Sequence, residues 1–288
     1  MKLAFKTDDV GYSHVHNLGT FEAVDNGVVT HLDIMLDCKE GTDEALEFAK
    51  NHAWLSTGWH AHFWGWPILP KEEVSSMLTP EGRFKGRSNR WNNPERSQMD
   101  YEECRKECIA EMNNCVRIMG RTLDFGGSLA YGNLPITRAV YDTARDFGLM
   151  KIYVSRKEED KENKGSDMRH FGETPNLRNA YYNQDMDHGF FYDPYTCFEK
   201  AFTEEMLKSD TCYICGYHAA YVDPLVMKES SLTLGRIKDV EFLTSDWLKD
   251  YIIRNKIELV SIKDAVLGSQ DYQNHLRQIN SPLWIGNM

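Results

Sequence analysis

Lys2-Leu3-Ala4-Phe5-Lys6-Thr7-Asp8-Asp9 opens the chain with a short, largely apolar run that ends on two carboxylates. The arrangement recurs four more times. Residues 28–36 lead to Asp37, 56–59 to His60 and His62, 121–123 to Asp124, and 212–216 to Tyr217 and His218. Helical patterns lie between these runs, so the chain reads as strand–helix units. In a (β/α) barrel the carboxyl ends of the parallel strands open on one face, where such enzymes carry their chemistry. Carboxylates and imidazoles at the ends of the first, third, fourth and sixth strands therefore converge. Their types point to a metal-assisted hydrolase.

Working outward, strands are expected over residues 2–6, 28–36, 56–63, 121–125, 150–154, 211–217 and 257–261. Helices are expected over 15–25, 42–52, 100–119, 136–147, 198–207 and 245–255. The clearest is 100–119, where Tyr101, Cys104, Cys108, Met112, Cys115 and Met119 recur every three or four residues. Gly120 and Gly148 supply stop signals. Two loop excursions interrupt the pattern, 64–94 and 155–190, and a C-terminal extension covers 270–288 with little period. No repeat or composition break divides the chain. The expectation is an α/β fold, a (β/α) barrel-like single domain over 1–288 with about seven parallel strands.

The chain has 288 residues, 41% of them hydrophobic, enough for a packed core. Its net charge of −11 argues against a nucleic-acid surface, because counterion release needs clustered Lys and Arg. A mean hydropathy of −0.55 and the lack of an apolar run near 18 residues argue against a membrane span. The amino terminus reaches Asp8 and Asp9 too early for the apolar core of a signal peptide, so a cytoplasmic location is expected. Seven cysteines, an odd number, then read as reduced thiols. Cys212 and Cys215 have C-x-x-C spacing, but in a strand residues three apart face opposite ways, against a zinc or redox pair.

Adjacent carboxylates can divide their labour, one binding a cation and the other moving a proton, and Asp8-Asp9 is such a pair. Gly58-Trp59-His60-Ala61-His62 places two imidazoles two residues apart, on one side of a strand, as half of a zinc site. His218 ends its strand after Gly216-Tyr217 and before a loop, which suits an acid or base. His14 and His16 stand near a helix start, where a neutral imidazole is favoured and remains able to ligate. Trp59, Trp64, Trp66 and Trp91 crowd the third strand and its loop, and aromatic faces stack on sugar rings.

These residues resemble a family. Thr7-Asp8-Asp9-Val10-Gly11-Tyr12-Ser13, then Asn17, Glu22-Ala23, Asn26-Gly27-Val28-Val29-Thr30 and Gly58-Trp59-His60, are similar to the opening of the YdjC-like carbohydrate deacetylases, the chitooligosaccharide deacetylase group. The likeness returns at Leu134-Pro135, Gly148-Leu149, His218-Ala219-Ala220-Tyr221, Arg236, Glu241 and Leu259-Val260-Ser261. It implies a barrel-like fold and removal of N-acetyl groups from amino sugars with a divalent metal, Zn or Mg. Asp8 would then be the general base, Asp9 and His60 metal ligands, and His218 the late catalytic histidine. The expected partner is a small carbohydrate, with Asp124 and Tyr131 joining the tryptophans as sugar contacts, and a homodimer is the assembly considered.

One departure matters. The family carries an Asp-x-His-x-His segment after its fourth strand, source of the third metal ligand. Here the segment reads Asp124-Phe125-Gly126-Gly127-Ser128-Leu129-Ala130-Tyr131. The late His-Pro-Gly is also altered, to His218-Ala219-Ala220. Three outcomes stay open. A substitute ligand (His62 first, or His14, His16 or Asp124) completes an altered site; water completes a two-residue site; or the metal is lost. The last would leave a carbohydrate-binding or regulatory protein, or a metal-independent sugar-active enzyme.

Overall fold

Parallel pairing around a central first strand organises the molecule. The computed structural model describes residues 1–85, 94–126, 134–150, 177–182 and 190–288. Its strands are β1 (Lys2–Val10), β2 (His31–Ile34), β3 (Ser56–Trp59), β4 (Leu177–Tyr182), β5 (Cys212–Tyr217) and β6 (Glu258–Leu259). The helices are α1 (His14–Asp25), α2 (Glu40–Asn51), α3 (Pro94–Ser97), α4 (Tyr101–Met119), α5 (Pro135–Asp146), α6 (Pro194–Ala201), α7 (Glu204–Leu207), α8 (Pro224–Glu229), α9 (Leu234–Thr244), α10 (Asp246–Arg254), α11 (Ile262–Leu267) and α12 (Asp271–Gln278). The sheet runs β3-β2-β1-β5-β4, with every pairing parallel. The two-residue β6 also joins β1, on the edge that β2 uses further along. Glu258 and Val260 donate to the carbonyls of Met1 and Leu3, and Thr30 donates to that of Phe5.

The α/β class and parallel sheet are as expected; the strand count is not. Among the described residues there are five strands of four or more residues plus β6, fewer than the seven expected, and no pairing closes a barrel. The run 121–125 contributes only Phe125, bridged to Gly58 and to Met150. The cause is local. Asp124 takes the Thr57 amide with its side chain, at 2.8 Å, where a continuing strand would offer a backbone carbonyl. Of the run 150–154, residues 151–154 lie outside the described residues. Strand β4, inside the stretch expected to be a loop excursion, pairs with β5. The expected helix 198–207 is two, α6 and α7, separated at Thr203, whose hydroxyl caps α7.

The alternation of strand side chains splits the sheet into two unlike faces. Leu3, Phe5, Leu32, Ile34, Trp59, Cys215 and Tyr217 belong to one large buried core beneath the helices. The opposite face begins with a small apolar cluster, Ala4, Phe125, Cys212, Ile214, Val260 and Ile262. Above it, among the described residues, come the polar side chains of Lys6 and Asp8 on β1 and of His31 and Asp33 on β2. Cys212 and Cys215 thus face opposite ways, and all seven cysteines are free thiols. Cys104, Cys108 and Cys115 share the buried side of α4, which Asp100 caps at one end and the left-handed Gly120 ends at the other. The C-terminal extension docks on the body: Gln273 donates to the Leu259 carbonyl, and Trp54 stacks on His275.

Candidate metal and catalytic site

The end of β1 is bent so that adjacent carboxylates serve one place. In a regular strand Asp8 and Asp9 would face opposite ways. Between Thr7 and Val10 the register with β2 slips by one residue, a bulge, and Asp9 adopts a left-handed φ of 62°. Bulges beside functional sites re-aim side chains in this way, and Asp tolerates the left-handed region better than most residues. Gly11 follows at φ 95°, its amide held by the Asn17 side chain at 2.8 Å. Backbone strain is concentrated where Asp9 must turn inward.

His60 and His62 meet Asp9 there, though not along a strand. β3 stops at Trp59, and the His62 amide folds back to the His60 carbonyl at 3.0 Å, with Phe63 left-handed at φ 56°. His60 Nε2 lies 2.9 Å from Asp9 Oδ1 and His62 Nε2 lies 3.6 Å from the same atom. The rings are 4.1 Å apart and nearly perpendicular. One ligand atom from each of Asp9, His60 and His62 lies within 4.8 Å of the others. Arg236 holds the second Asp9 oxygen at 2.6 Å, and its other nitrogen lies 3.2 Å from His16 Nε2.

The electrostatics follow from these contacts. Burial opposes ionisation of Asp9, but Arg236 and the His60 hydrogen bond outweigh it and hold the carboxyl well below its ordinary range. Burial disfavours charge on His60, yet the bond to Asp9 and the charge of Asp8 raise it. Burial, with His60 next in weight, pushes His62 well down. His16 falls likewise through burial and Arg236. His218 is brought down to about 4, chiefly by burial, against the upward pull of Asp9 and Asp8. Its backbone amide donates to Asp239, which also accepts from the Tyr192 hydroxyl.

A divalent ion fits this donor set. One carboxylate and two imidazoles make a three-ligand site of the kind that leaves a position open. Asp9 ionised and His62 neutral are the states ligation requires, while His60, raised by its carboxylate neighbours, would release a proton to the solvent on binding an ion. Of the four residues considered as substitutes for the missing histidine, His62 alone is grouped with Asp9 and His60. His14 pairs with Glu44 on the surface, and His16 faces Arg236.

Other expectations are corrected. Trp59 is 0% exposed in the main core, because it alternates with the inward Gly58 and His60 and faces Glu111 on α4; it does not line a sugar site. Asp124, expected as a sugar contact, accepts from the amide and hydroxyl of Thr57 and pairs with Arg121, and so fastens the sheet edge. Trp64 and Trp66 stay half-buried at the site's edge. Trp64 stacks on His62 with ring centres 4.5 Å apart, and the cations of Lys39 and Arg83 lie 5.0 and 4.3 Å from the centre of the Trp66 ring. Trp91 and Tyr131 lie outside the described residues.

The structure adds residues the sequence reading passed over. Lys6, Asp33 and His31 form a buried chain behind Asp8: Lys6 Nζ is 2.7 Å from Asp8 Oδ1 and also bonds Asp33 Oδ2. Asp33 Oδ1 then lies 3.0 Å from His31 Nε2, and His31 Nδ1 lies 2.7 Å from Ser56 Oγ. Gly58 makes room, since a Cβ there would fall 2.0 Å from Asp33 Oδ1. A signal was present. His31 and Asp33 are two polar residues two apart inside an apolar run, and therefore on one face of a buried strand.

The profile of the family described as YdjC-like protein matches residues 2–254. The chain belongs to the YdjC-like family. Two relatives align along nearly their whole length. Carbohydrate deacetylase 1 of Listeria innocua is 26% identical over 273 residues, 92% of this chain and all of its own. The carbohydrate deacetylase of Brevibacillus brevis is 28% identical over 275 residues, 92% of this chain and 99% of its own. In fold, the chain is similar to a crystal structure from Enterococcus faecalis described as a cellobiose-phosphate cleavage protein. The TM-score is 0.65 at 24% identity, over 90% of this chain and 97% of that one. No described helix is long and apolar enough to cross a membrane.

Proposed function

We propose that this YdjC-like chain is a metal-dependent amide hydrolase that removes an acetyl group from an N-acetylated sugar or oligosaccharide. The observation that carries the proposal is the convergence of Asp9, His60 and His62, beside Asp8, in a chain whose full-length relatives are named carbohydrate deacetylases. In this reading the sheet is barrel-like, the whole of 1–288 is one domain, and the site lies at the carboxyl ends of β1, β3 and β5.

Asp9, His60 and His62 would hold the ion. Zn²⁺ or Mg²⁺ there would supply Lewis acidity to polarise the acetyl carbonyl, and Zn²⁺ would also make water acidic enough to ionise near neutral pH. Arg236 keeps Asp9 charged and fixed. Asp8 takes the proton of the attacking water, and the carbon–nitrogen bond breaks as the amine gains a proton from His218. With its pKa near 4, His218 starts the cycle neutral. The proton it delivers to the amine is therefore the one the attacking water gave to Asp8, passed on through His218, whose protonated form is a strong acid toward the amine. Trp64 and Trp66 offer faces for the sugar ring.

The test pairs metal content with acetate release from N-acetylated sugars. Asp9→Ala and His60→Ala should each abolish tight metal binding, and His62→Ala should weaken it far more than His52→Ala, which alters a helix end. Asp8→Asn should keep metal and sugar binding while turnover falls by ~10²–10⁴. A carbohydrate-binding protein is the second reading, favoured by Gly126, which has no side chain to ligate. Binding of a sugar in calorimetry with no turnover under any divalent ion would replace the first reading with the second.

A further inference from the structure

Asp8, Asp33 and His60 form a second group whose ligand atoms lie within 4.8 Å of one another, and it shares His60 with the first. Asp8 and Asp33 are 1% and 4% exposed. Two carboxylates buried this deeply need positive charge between them, because neither water nor distance can separate their repulsion. The charge present is Lys6. Its ammonium lies against one oxygen of each carboxylate, and its stem rises from β1 on the same face.

We infer that Lys6 is a built-in cation occupying a second ion position beside the proposed metal site, and that it acts as a positioning residue for Asp8. The inference rests on the hydrolase reading for its second part only. In two-metal hydrolases a pair of ions about 3.5–4 Å apart clamps the reacting oxygens. A lysine in the second position keeps one charge permanently in place, carries no exchangeable water, and fixes the carboxylate that takes the proton. The surroundings suit a fixed group: Asp33 is tied on its other oxygen to His31, and His31 to Ser56, so the ammonium rests on a rigid support. Burial lowers the tendency of Lys6 to stay charged, but Asp33 and then Asp8 more than restore it.

Removing the charge while keeping the length should open the position to a real ion. His60 serves the first ion, so the second position offers the carboxylate oxygens of Asp8 and Asp33, a set that suits Mn²⁺ better than Zn²⁺. The full-length chain and its Lys6→Met and Lys6→Gln variants are stripped with chelator, reloaded with Mn²⁺ and, separately, Zn²⁺, dialysed and assayed for metal by mass spectrometry. The expected contents are one ion per wild-type chain, two per Lys6→Met or Lys6→Gln chain, and one again in Lys6→Met/Asp33→Asn. Excess Mn²⁺ should raise the melting temperature of Lys6→Met by more than it raises that of the wild type. With one ion bound, kcat should fall by about tenfold or more in Lys6→Met, with KM little changed and partial recovery in Lys6→Arg. If both neutral variants hold no more metal than the wild type, or fail to fold in excess Mn²⁺, the inference is overturned. A wild-type content of zero would count against the hydrolase reading instead, since the increment on removing Lys6 is scored separately.

Discussion

Two groups of buried acids flank the sheet's carboxyl end, and they titrate in opposite directions. Asp9 and Asp33, on the polar face, both lie well below the ordinary carboxylate range. Asp37, Glu107 and Glu111, behind the tryptophan loop, are raised. Burial pushes every one of them upward, so burial does not explain the difference. Partners do. Asp9 faces Arg236, and Asp33 faces Lys6. Among the described residues, Asp37 accepts from neutral groups, the Trp64 and Gly65 amides at 2.6 Å and the Cys38 thiol. Glu107 accepts from the amides of Ile68 and Leu69. Cations hold these carboxylates charged; amides make loop clamps that tolerate a proton.

The comparison breaks most severely if a cation is taken away. In the metal-free chain, Arg236→Met leaves Asp9 buried with only imidazole partners and should cost ~3–5 kcal/mol in denaturant unfolding. Adding Asp9→Asn should recover most of that loss, because the uncompensated charge goes with it. A single variant as stable as the wild type would mean that Arg236 does not hold Asp9 ionised.

The next largest effect is a pair of opposed pH slopes. Asp9 and Asp33 are depressed, so their contribution is complete above the ordinary value of 3.8 and is lost as pH falls through their folded values. Glu107 is raised from 4.5 to about 7, chiefly by burial. Its contribution is complete below 4.5 and is lost as pH rises through 7, at up to ~1.4 kcal/mol per pH unit. The depressed His16, His62 and His218 give the opposite slope in the same window, so the decline is read as a difference between two chains. In urea unfolding of the chelator-treated proteins between pH 4.5 and 7.5, the wild type should lose stability relative to Glu107→Gln as pH rises. Identical pH dependence in the two proteins would mean that Glu107 does not contribute.

Much of this was legible in sequence, unevenly. α4 was readable because its cysteines and methionines keep helical spacing and both ends carry strong signals, Asp100 and Gly120. The convergence of Asp8, Asp9 and His60 was readable from their place at strand ends. The reason both aspartates point inward was not, since a bulge is a property of pairing with β2 and leaves no trace in one strand's residues. β4 escaped because Leu177-Arg178-Asn179-Ala180-Tyr181-Tyr182 has no clean alternation and sits in a polar stretch. The fastening role of Asp124 was not readable, because the amide it satisfies belongs to Thr57, 67 residues earlier.

Trp66 offers the gentlest test, because there cations meet an aromatic face in place of a carboxylate. Lys39 and Arg83 lie over its ring from an exposed and a half-buried position, and Arg83 is also bound to Glu229 at 2.8 Å. A cation over an indole at such a site is worth roughly 0.5–1 kcal/mol. Trp66→Leu should therefore lower stability by about 1 kcal/mol, and Trp66→Phe by less, since a smaller ring keeps part of the attraction. The Arg83–Glu229 pair survives both changes, so the loss should respond weakly to added salt, unlike the loss from Arg83→Gln. If Trp66→Leu is neutral in unfolding yet weakens sugar binding, the ring serves the ligand alone. The contrast between cation-held and amide-held regions would then stop at the carboxylates.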